Sequence, residues 1–267
     1  MTEGPAPVQR RRLPKGLTLR ALVPNAITAA ALCAGLTGIR FASAGDFEKA
    51  ALAVVLAGGL DGVDGRAARL LKAQTRFGAE LDSLADAISF GVAPALIVYL
   101  WSLQEVARFG WIAALAFAIC CVLRLARFNA QIDLDEMPYK QAGFLTGVPA
   151  PAGAGLALLP MFVWIASDQP EFFHPVAVGI WMVVVAFLMI ANIPTLSWSR
   201  LRPPRSIRLA VIVVAGLLVA SLLTMPWPTL AVITLSYLLL LPVGVVAYAR
   251  IRRRREAGQT PGGEARS

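Results

Sequence analysis

Residues 61–86, DGVDGRAARLLKAQTRFGAELDSLAD, decide how the chain folds. Four carboxylates, Asp61, Asp64, Asp82 and Asp86, stand here inside sequence that otherwise reads as membrane-spanning. The run ALAVVLAGGL precedes Asp61, and AISFGVAPALIVYLW follows Asp86. With about 100° per residue, an α-helix places Asp61, Asp64, Gly65, Ala68 and Arg69 on one face. On the next helix Gly78, Asp82 and Asp86 share another, and Glu80 points roughly the opposite way.

Charges at such positions are expensive. One carboxylate or guanidinium in the middle of a membrane helix costs about 2.5–3.5 kcal/mol. Four acids with Arg69 would cost on the order of 15 kcal/mol at full burial, as much as the whole net stability of an ordinary domain. Water, mutual pairing or a bound cation must offset that. Four acids against one inward arginine leave negative charge over, and all-oxygen ligands suit Mg²⁺ or Mn²⁺. The alternative is a set of helix-end acids in solvated loops. Two carboxylate pairs in register on adjacent helices favour a divalent metal site.

The rest of the chain supplies the setting. Of 267 residues 57% are hydrophobic and 15% charged, with a mean hydropathy of +0.66, and apolar stretches near the length of a bilayer core recur. The expected class is all-α: a polytopic membrane helical bundle of about eight transmembrane helices. A short N-terminal interfacial helix is expected over Gly16–Val23. The net charge of +9 is carried by basic residues at the ends of apolar runs, a pattern of topology and anionic-lipid contact, so no nucleic-acid partner is expected. Residues 1–19 read as a basic tail and interfacial segment, 20–250 as the transmembrane domain, and 251–267 as a basic disordered tail that takes in most of the run RIRRRR at 250–255. No signal peptide is evident. Cys33, Cys120 and Cys121 fall in apolar segments and read as small buried side chains, with no disulfide framework.

Orientation follows from the positive residues. Eight spans place both termini on one side, with the loops after spans two, four and six. That side holds the arginines of both tails, Lys72, Arg76, Lys140, Arg200, Arg202 and Arg205. The motif at 61–86 then opens to the cytoplasm from the inner membrane.

The spacing D-x2-D-G-x2-A-R-x8-G-x3-D-x3-D, met at Asp61, Asp64, Gly65, Ala68, Arg69, Gly78, Asp82 and Asp86, resembles the signature of the CDP-alcohol phosphotransferases. The resemblance implies a CDP-linked lipid substrate whose CMP leaves, and two divalent ions held by Asp61, Asp64, Asp82 and Asp86, with Asp86 also the general base. It implies nucleotide contacts at Gly65, Ala68, Arg69 and Gly78, and suggests a homodimer. Paired metals suit displacement at phosphorus, glycine allows close backbone approach, and Arg69 can present bidentate donors to phosphate.

The flanking stretches PNAITAAALCAG, GAELDSLADAISFGVAPA, LRLARFNA, GFLTGVPAPAGA and IPTLSWSRL resemble the membrane-embedded phosphatidylserine synthases of that family. The implied reaction joins CDP-diacylglycerol and L-serine to give phosphatidylserine and CMP. Arg124 and Arg127, three apart at the end of the fourth span, could hold the serine carboxylate or a lipid phosphate, or simply anchor topology. Asn25 and Thr28 could line the nucleotide pocket or cap a helix. Ser83 follows the same pattern but could bond only its own backbone. His174, the one histidine, receives no role, and a mechanism built on paired histidines is thereby excluded. Other acceptors (glycerol 3-phosphate, inositol phosphate, choline) stay open, as does a cation transporter, since intramembrane acids also mark ion pathways.

Overall fold

The computed structural model describes residues 19–132, 144–167, 173–191, 194–196 and 208–258. Of the basic residues that set the expected orientation, Lys72, Arg76 and the arginines of the run at 250–255 are among the described residues, and the N-terminal tail, Lys140, Arg200, Arg202 and Arg205 lie outside them. Among the described residues nine α-helices follow in chain order: α1 Leu19–Ser43, α2 Phe47–Leu70, α3 Arg76–Asp86, α4 Ala93–Trp101, α5 Ala107–Ile132, α6 Ala150–Ser167, α7 Pro175–Ile190, α8 Arg208–Thr224 and α9 Pro226–Gly258. Helices α3 and α4 are one span, joined through the π-helical turn Ala87–Val92, so the described helices make eight rods at the eight expected places. The other regular structure among these residues is a short 3-10 helix, Leu103–Val106, and a three-residue antiparallel ladder. The ladder pairs β1 (Phe144–Thr146) with β2 (Pro194–Leu196), Leu145 opposite Thr195.

Four rods are long and apolar enough to cross a bilayer: Arg20–Ser43, Arg76–Trp101, Arg108–Ala130 and Ala150–Ser167. Shorter apolar helices run over Pro175–Ile190, Leu209–Thr224 and Pro226–Pro242. The second rod, α2, is long but carries the charges of the motif. The chain is a multi-pass membrane helical bundle.

Helices in lipid gain little from burying apolar surface and associate by close packing of small residues. The α1–α2 pair does so. A Cβ on Gly38 would stand 3.1 Å from the Ala50 carbonyl oxygen of α2, and α1 meets the π-helical turn as closely, where a Cβ on Gly35 would stand 2.7 Å from Ser89 Oγ. Ala31, Ala42, Ala50, Ala53 and Ala57 are buried along the same seam. The core continues through Phe90, Ile97, Phe117, Leu156, Met161, Met182 and Met189. Trp181 donates to the Leu156 carbonyl at 2.7 Å, and Trp227 to Glu48 at 2.9 Å, tying α7 to α6 and α9 to α2.

Three expectations are corrected. Leu19–Val23 forms no separate interfacial helix, because α1 runs unbroken through Pro24; the proline stands close enough to the start of the helix that the bond it removes is among the first of the ladder. The RIRRRR run does not leave the bundle as coil but continues α9 to Gly258, since Arg, Glu and Ala are good helix formers and glycine then ends the run. Cys33 is exposed rather than buried, while Cys121 is buried and all three thiols are free.

Candidate active site

The two halves of the motif are joined by a tight turn whose chemistry is local. Helix α2 ends in a Schellman arrangement, with Ala73 N donating to Ala68 O at 2.9 Å and Lys72 N to Arg69 O at 3.2 Å. Lys72 takes the left-handed conformation at φ 49° that this ending requires. Thr75 then caps α3, its Oγ1 accepting from Gly78 N at 3.0 Å. The turn sets α3 beside the end of α2.

The result is a cluster of acids. Asp61, Asp64 and Asp82 each present a carboxylate oxygen, all within 4.8 Å of one another, and the Asp86 carboxyl is within hydrogen-bonding range of Asp61. Asp64 is buried, at 4% exposure, and the other three are half-buried. Glu80 is exposed, away from the cluster. Among the described residues no Lys or Arg forms an ion pair with any of the four; the one salt bridge, Lys49–Asp46, is elsewhere. Arg69 does not enter the cluster. It is exposed, and its Nε donates to Gly65 O at 3.0 Å. Four carboxylates crowded without a protein cation are a donor set that fits divalent metal. Because Arg69 is exposed and three of the acids only half-buried, the burial cost lies well below the full-burial figure.

Beside the acids lies a cleft of about 240 Å³ lined by Asn25, Thr28, Asp64, Gly65, Gly78 and Asp82, among others including Ala68. Thr28 Oγ1 donates to Asp64 Oδ2 at 2.7 Å and also approaches the Pro24 carbonyl at 3.1 Å. It fixes one oxygen of the most buried acid. Gly65 has open space where a Cβ would be, consistent with a ligand against the backbone. Gly78 is glycine for a different reason: its Cβ would stand 2.9 Å from Asn25 Oδ1 and 3.1 Å from Thr75 Oγ1. With its oxygen so placed, Asn25 has a buried Nδ2 with no partner. A buried donor left unmade costs about 1–3 kcal/mol, so a ligand group that completes it gains that much.

The two arginines of α5 part company. Arg127 donates from Nη2 to the Ile190 carbonyl at 2.8 Å, capping the last residue of α7. Arg124 has a buried Nε without a partner, a guanidinium stacked 5.8 Å from the Phe128 ring centroid, and Asp86 within electrostatic reach. Ser83 bonds its own helix, at Ala79 O, and also accepts from Asn129 Nδ2 at 2.9 Å. Asn129, missed in the sequence, thus braces α3 from α5; only its place in LRLARFNA hinted at it. Thr75 was equally legible as a cap three residues before Gly78. His174 is the N-cap of α7, accepting from Val176 N at 3.3 Å.

The π-helical turn begins directly after Asp86, and such turns concentrate at functional sites. Two buried contacts accompany it. Ser89 Oγ donates to Ala31 O at 3.3 Å, and a Cβ on Gly91 would lie 3.2 Å from Cys121 Sγ. The turn seats the Asp86 helix against both α1 and α5.

Comparison with known proteins agrees with this geometry. Residues 21–195 match the profile of the CDP-alcohol phosphatidyltransferase family, and residues 206–242 match that of CDP-alcohol phosphatidyltransferase 2. The CDP-diacylglycerol–serine O-phosphatidyltransferase of Mycobacterium tuberculosis is 38% identical over 236 residues, covering 86% of this chain and 80% of that protein. The Helicobacter pylori protein of the same name is 34% identical over 183 residues, 67% of this chain and 75% of that one. The Bacillus subtilis one is 32% identical over 172 residues, 64% and 88%.

Proposed function

The chain belongs to the CDP-alcohol phosphatidyltransferase family, and from that premise we propose that it makes phosphatidylserine, transferring the phosphatidyl group of CDP-diacylglycerol to L-serine with release of CMP. The observation that carries the reading is the convergence of Asp61, Asp64 and Asp82 within 4.8 Å beside the cleft of Asn25, Thr28, Gly65, Ala68 and Gly78. Relatives that carry this activity by name share most of the chain.

Asp61, Asp64, Asp82 and Asp86 would hold divalent metal, assigned here as two ions of Mg²⁺ or Mn²⁺. Bound there, the metal supplies Lewis acidity to the pyrophosphate and offsets charge on the departing CMP. Thr28 keeps the Asp64 carboxylate turned toward the site. Asn25 donates its free Nδ2–H to the nucleotide, which lies against the bare backbone of Gly65. Arg69, outside the acid cluster, is left to meet phosphate from the solvent side. Serine enters from the Arg124 side, its hydroxyl at Asp86. Asp86 takes the hydroxyl proton, the serine oxygen forms a bond to the phosphatidyl phosphorus, and the bond from that phosphorus to the CMP oxygen breaks. Ser83 acts indirectly, through Asn129, by holding α3 in place.

In the same reading the site opens to the cytoplasm from the inner membrane, where serine and CMP are found, and the protein works as a homodimer. The test is an acceptor panel: purified protein with CDP-diacylglycerol and serine, glycerol 3-phosphate, inositol phosphate or choline, products identified by mass. Phosphatidylserine as the sole product is expected. A product with another acceptor and none with serine would overturn the assignment.

A further inference from the structure

Three buried polar side-chain atoms among the described residues have no hydrogen-bond partner: Asn25 Nδ2, Arg124 Nε and the Tyr237 hydroxyl. Buried polar groups are ordinarily satisfied, and exceptions call for an explanation. These are not scattered. Asn25 lines the cleft with Asp64 and Asp82. Arg124 lies within electrostatic reach of both Asp86 and Tyr237. One unmade bond therefore lies in the cleft beside the acids, and the other two, on α5 and α9, belong to residues within electrostatic reach of each other.

Tyr237 is held in place by its ring. The ring packs against the core and forms part of the wall of an apolar groove between α8 and α9, with Leu218, Met225 and Leu240. The hydroxyl, in contrast, is buried and satisfied by nothing. A phenol whose only need were packing would be served as well by phenylalanine, without the cost of an unmade bond. Near it, Arg124 contributes positive charge that no ion pair takes up. An O–H donor and a guanidinium N–H donor within electrostatic reach of each other suit a two-oxygen anion. The acceptor in the proposed reaction carries one. In L-serine the carboxylate carbon is three bonds from the hydroxyl oxygen, so a hydroxyl placed at Asp86 leaves the carboxylate close by, on the side where Arg124 lies.

We infer that Tyr237 determines acceptor specificity: with Arg124 it receives the carboxylate of the amino-acid acceptor, the phenol donating one hydrogen bond and the guanidinium another. The inference rests on the phosphatidylserine reading above, and it gives the C-terminal hairpin a part in the site.

Tyr237→Phe removes one oxygen and keeps the ring, so the groove wall and the packing of α9 are retained. The variant's KM for serine should rise about tenfold or more, as for a lost bond to a charged group, while kcat and the KM for CDP-diacylglycerol stay within about twofold. Serine methyl ester, which lacks the negative charge, should be a poor acceptor for the wild type, and the gap between wild type and variant should shrink with it. Ser236→Ala, a neighbour on the groove wall, should leave every constant unchanged. An unaltered serine KM in Tyr237→Phe would overturn the inference, as would equal shifts for both substrates or a loss of serine use that the ester matches. If the wild type forms no phosphatidylserine at all, the functional reading itself fails and the inference falls with it. Phosphatidylserine from the wild type with an indifferent Tyr237→Phe sinks the inference alone.

Discussion

The acid-bearing end of α2 and α3 and the penultimate helix α8 are both lengths of regular helix in one membrane bundle, and they treat their side chains in opposite ways. Around the acids nearly every side chain has a stated task. Thr28 holds Asp64, Thr75 caps α3, Asn25 takes the space that a Gly78 Cβ would need, and Asn129 braces Ser83. Along α8 every residue from Leu209 to Ala220 is exposed, and its first hydrogen-bonded anchor to α9 is Ser221 against Thr229, at 2.6 Å. Lipid tails are as apolar as leucine, so nothing on α8 needs a particular neighbour. Charge in the same bilayer tolerates no such freedom. Side-chain identity is therefore specified where polarity must be compensated, and only apolarity where it need not be.

That contrast is sharpest at the acids. Asp61→Ala, Asp64→Ala and Asp82→Ala should each abolish turnover while circular dichroism keeps the helical signal, because each would remove one of the proposed metal ligands and leave the apolar packing in place. Asp86→Asn should behave differently. It keeps size and one oxygen but loses most proton affinity, so CMP binding should persist while kcat falls by about 10²–10⁴-fold. A near-normal kcat would move the base elsewhere and leave Asp86 a ligand.

Next in size comes the split between two arginines one helical turn apart. Arg124→Ala should raise the serine KM roughly 10- to 150-fold, the value of about 1.5–3 kcal/mol for a bond to a charged group. Arg127→Ala should instead lower the melting temperature, as the cap on Ile190 is lost, with the serine KM unchanged. Matching kinetics in the two variants would erase the distinction.

Thr28→Val tests the layer behind the ligands. It keeps the shape and removes the bond to Asp64, so the Mn²⁺ concentration for half-maximal activity should rise about 10- to 100-fold. An unchanged metal requirement would mean that Asp64 needs no support. At the small end, Leu217→Ala on the exposed face of α8 should change stability by no more than about 0.5 kcal/mol and leave kcat intact. A large effect there would show that α8 is covered by something more specific than lipid.

How much of this was legible follows the same contrast. The eight rods were readable because apolar runs of bilayer length have one stable form in lipid. The four acids were readable because helical periodicity alone puts them on facing surfaces, and the cleft residues Asn25, Thr28, Gly65, Ala68 and Gly78 do line one cleft. What periodicity could not give were facts that depend on a third helix. Gly78 makes room for an asparagine from α1. Arg127 reaches a carbonyl of α7, 63 positions along the chain, whereas Arg124, on the same helix face by count, is left unpaired. The π-helical turn after Asp86 was also invisible, since AISFGV reads as ordinary helix and the wider turn goes with contacts to Ala31 and Cys121.

The central claim is that the acid cluster works by holding divalent metal for transfer to serine. Its most direct test is the initial rate of CMP release from CDP-diacylglycerol and serine, measured on purified protein in lipid nanodiscs, after dialysis against EDTA and again after Mn²⁺ or Mg²⁺ is restored. The rate should vanish with chelation and return with metal in the wild type, and should not return in Asp61→Ala. A full rate in the presence of chelator would contradict the account.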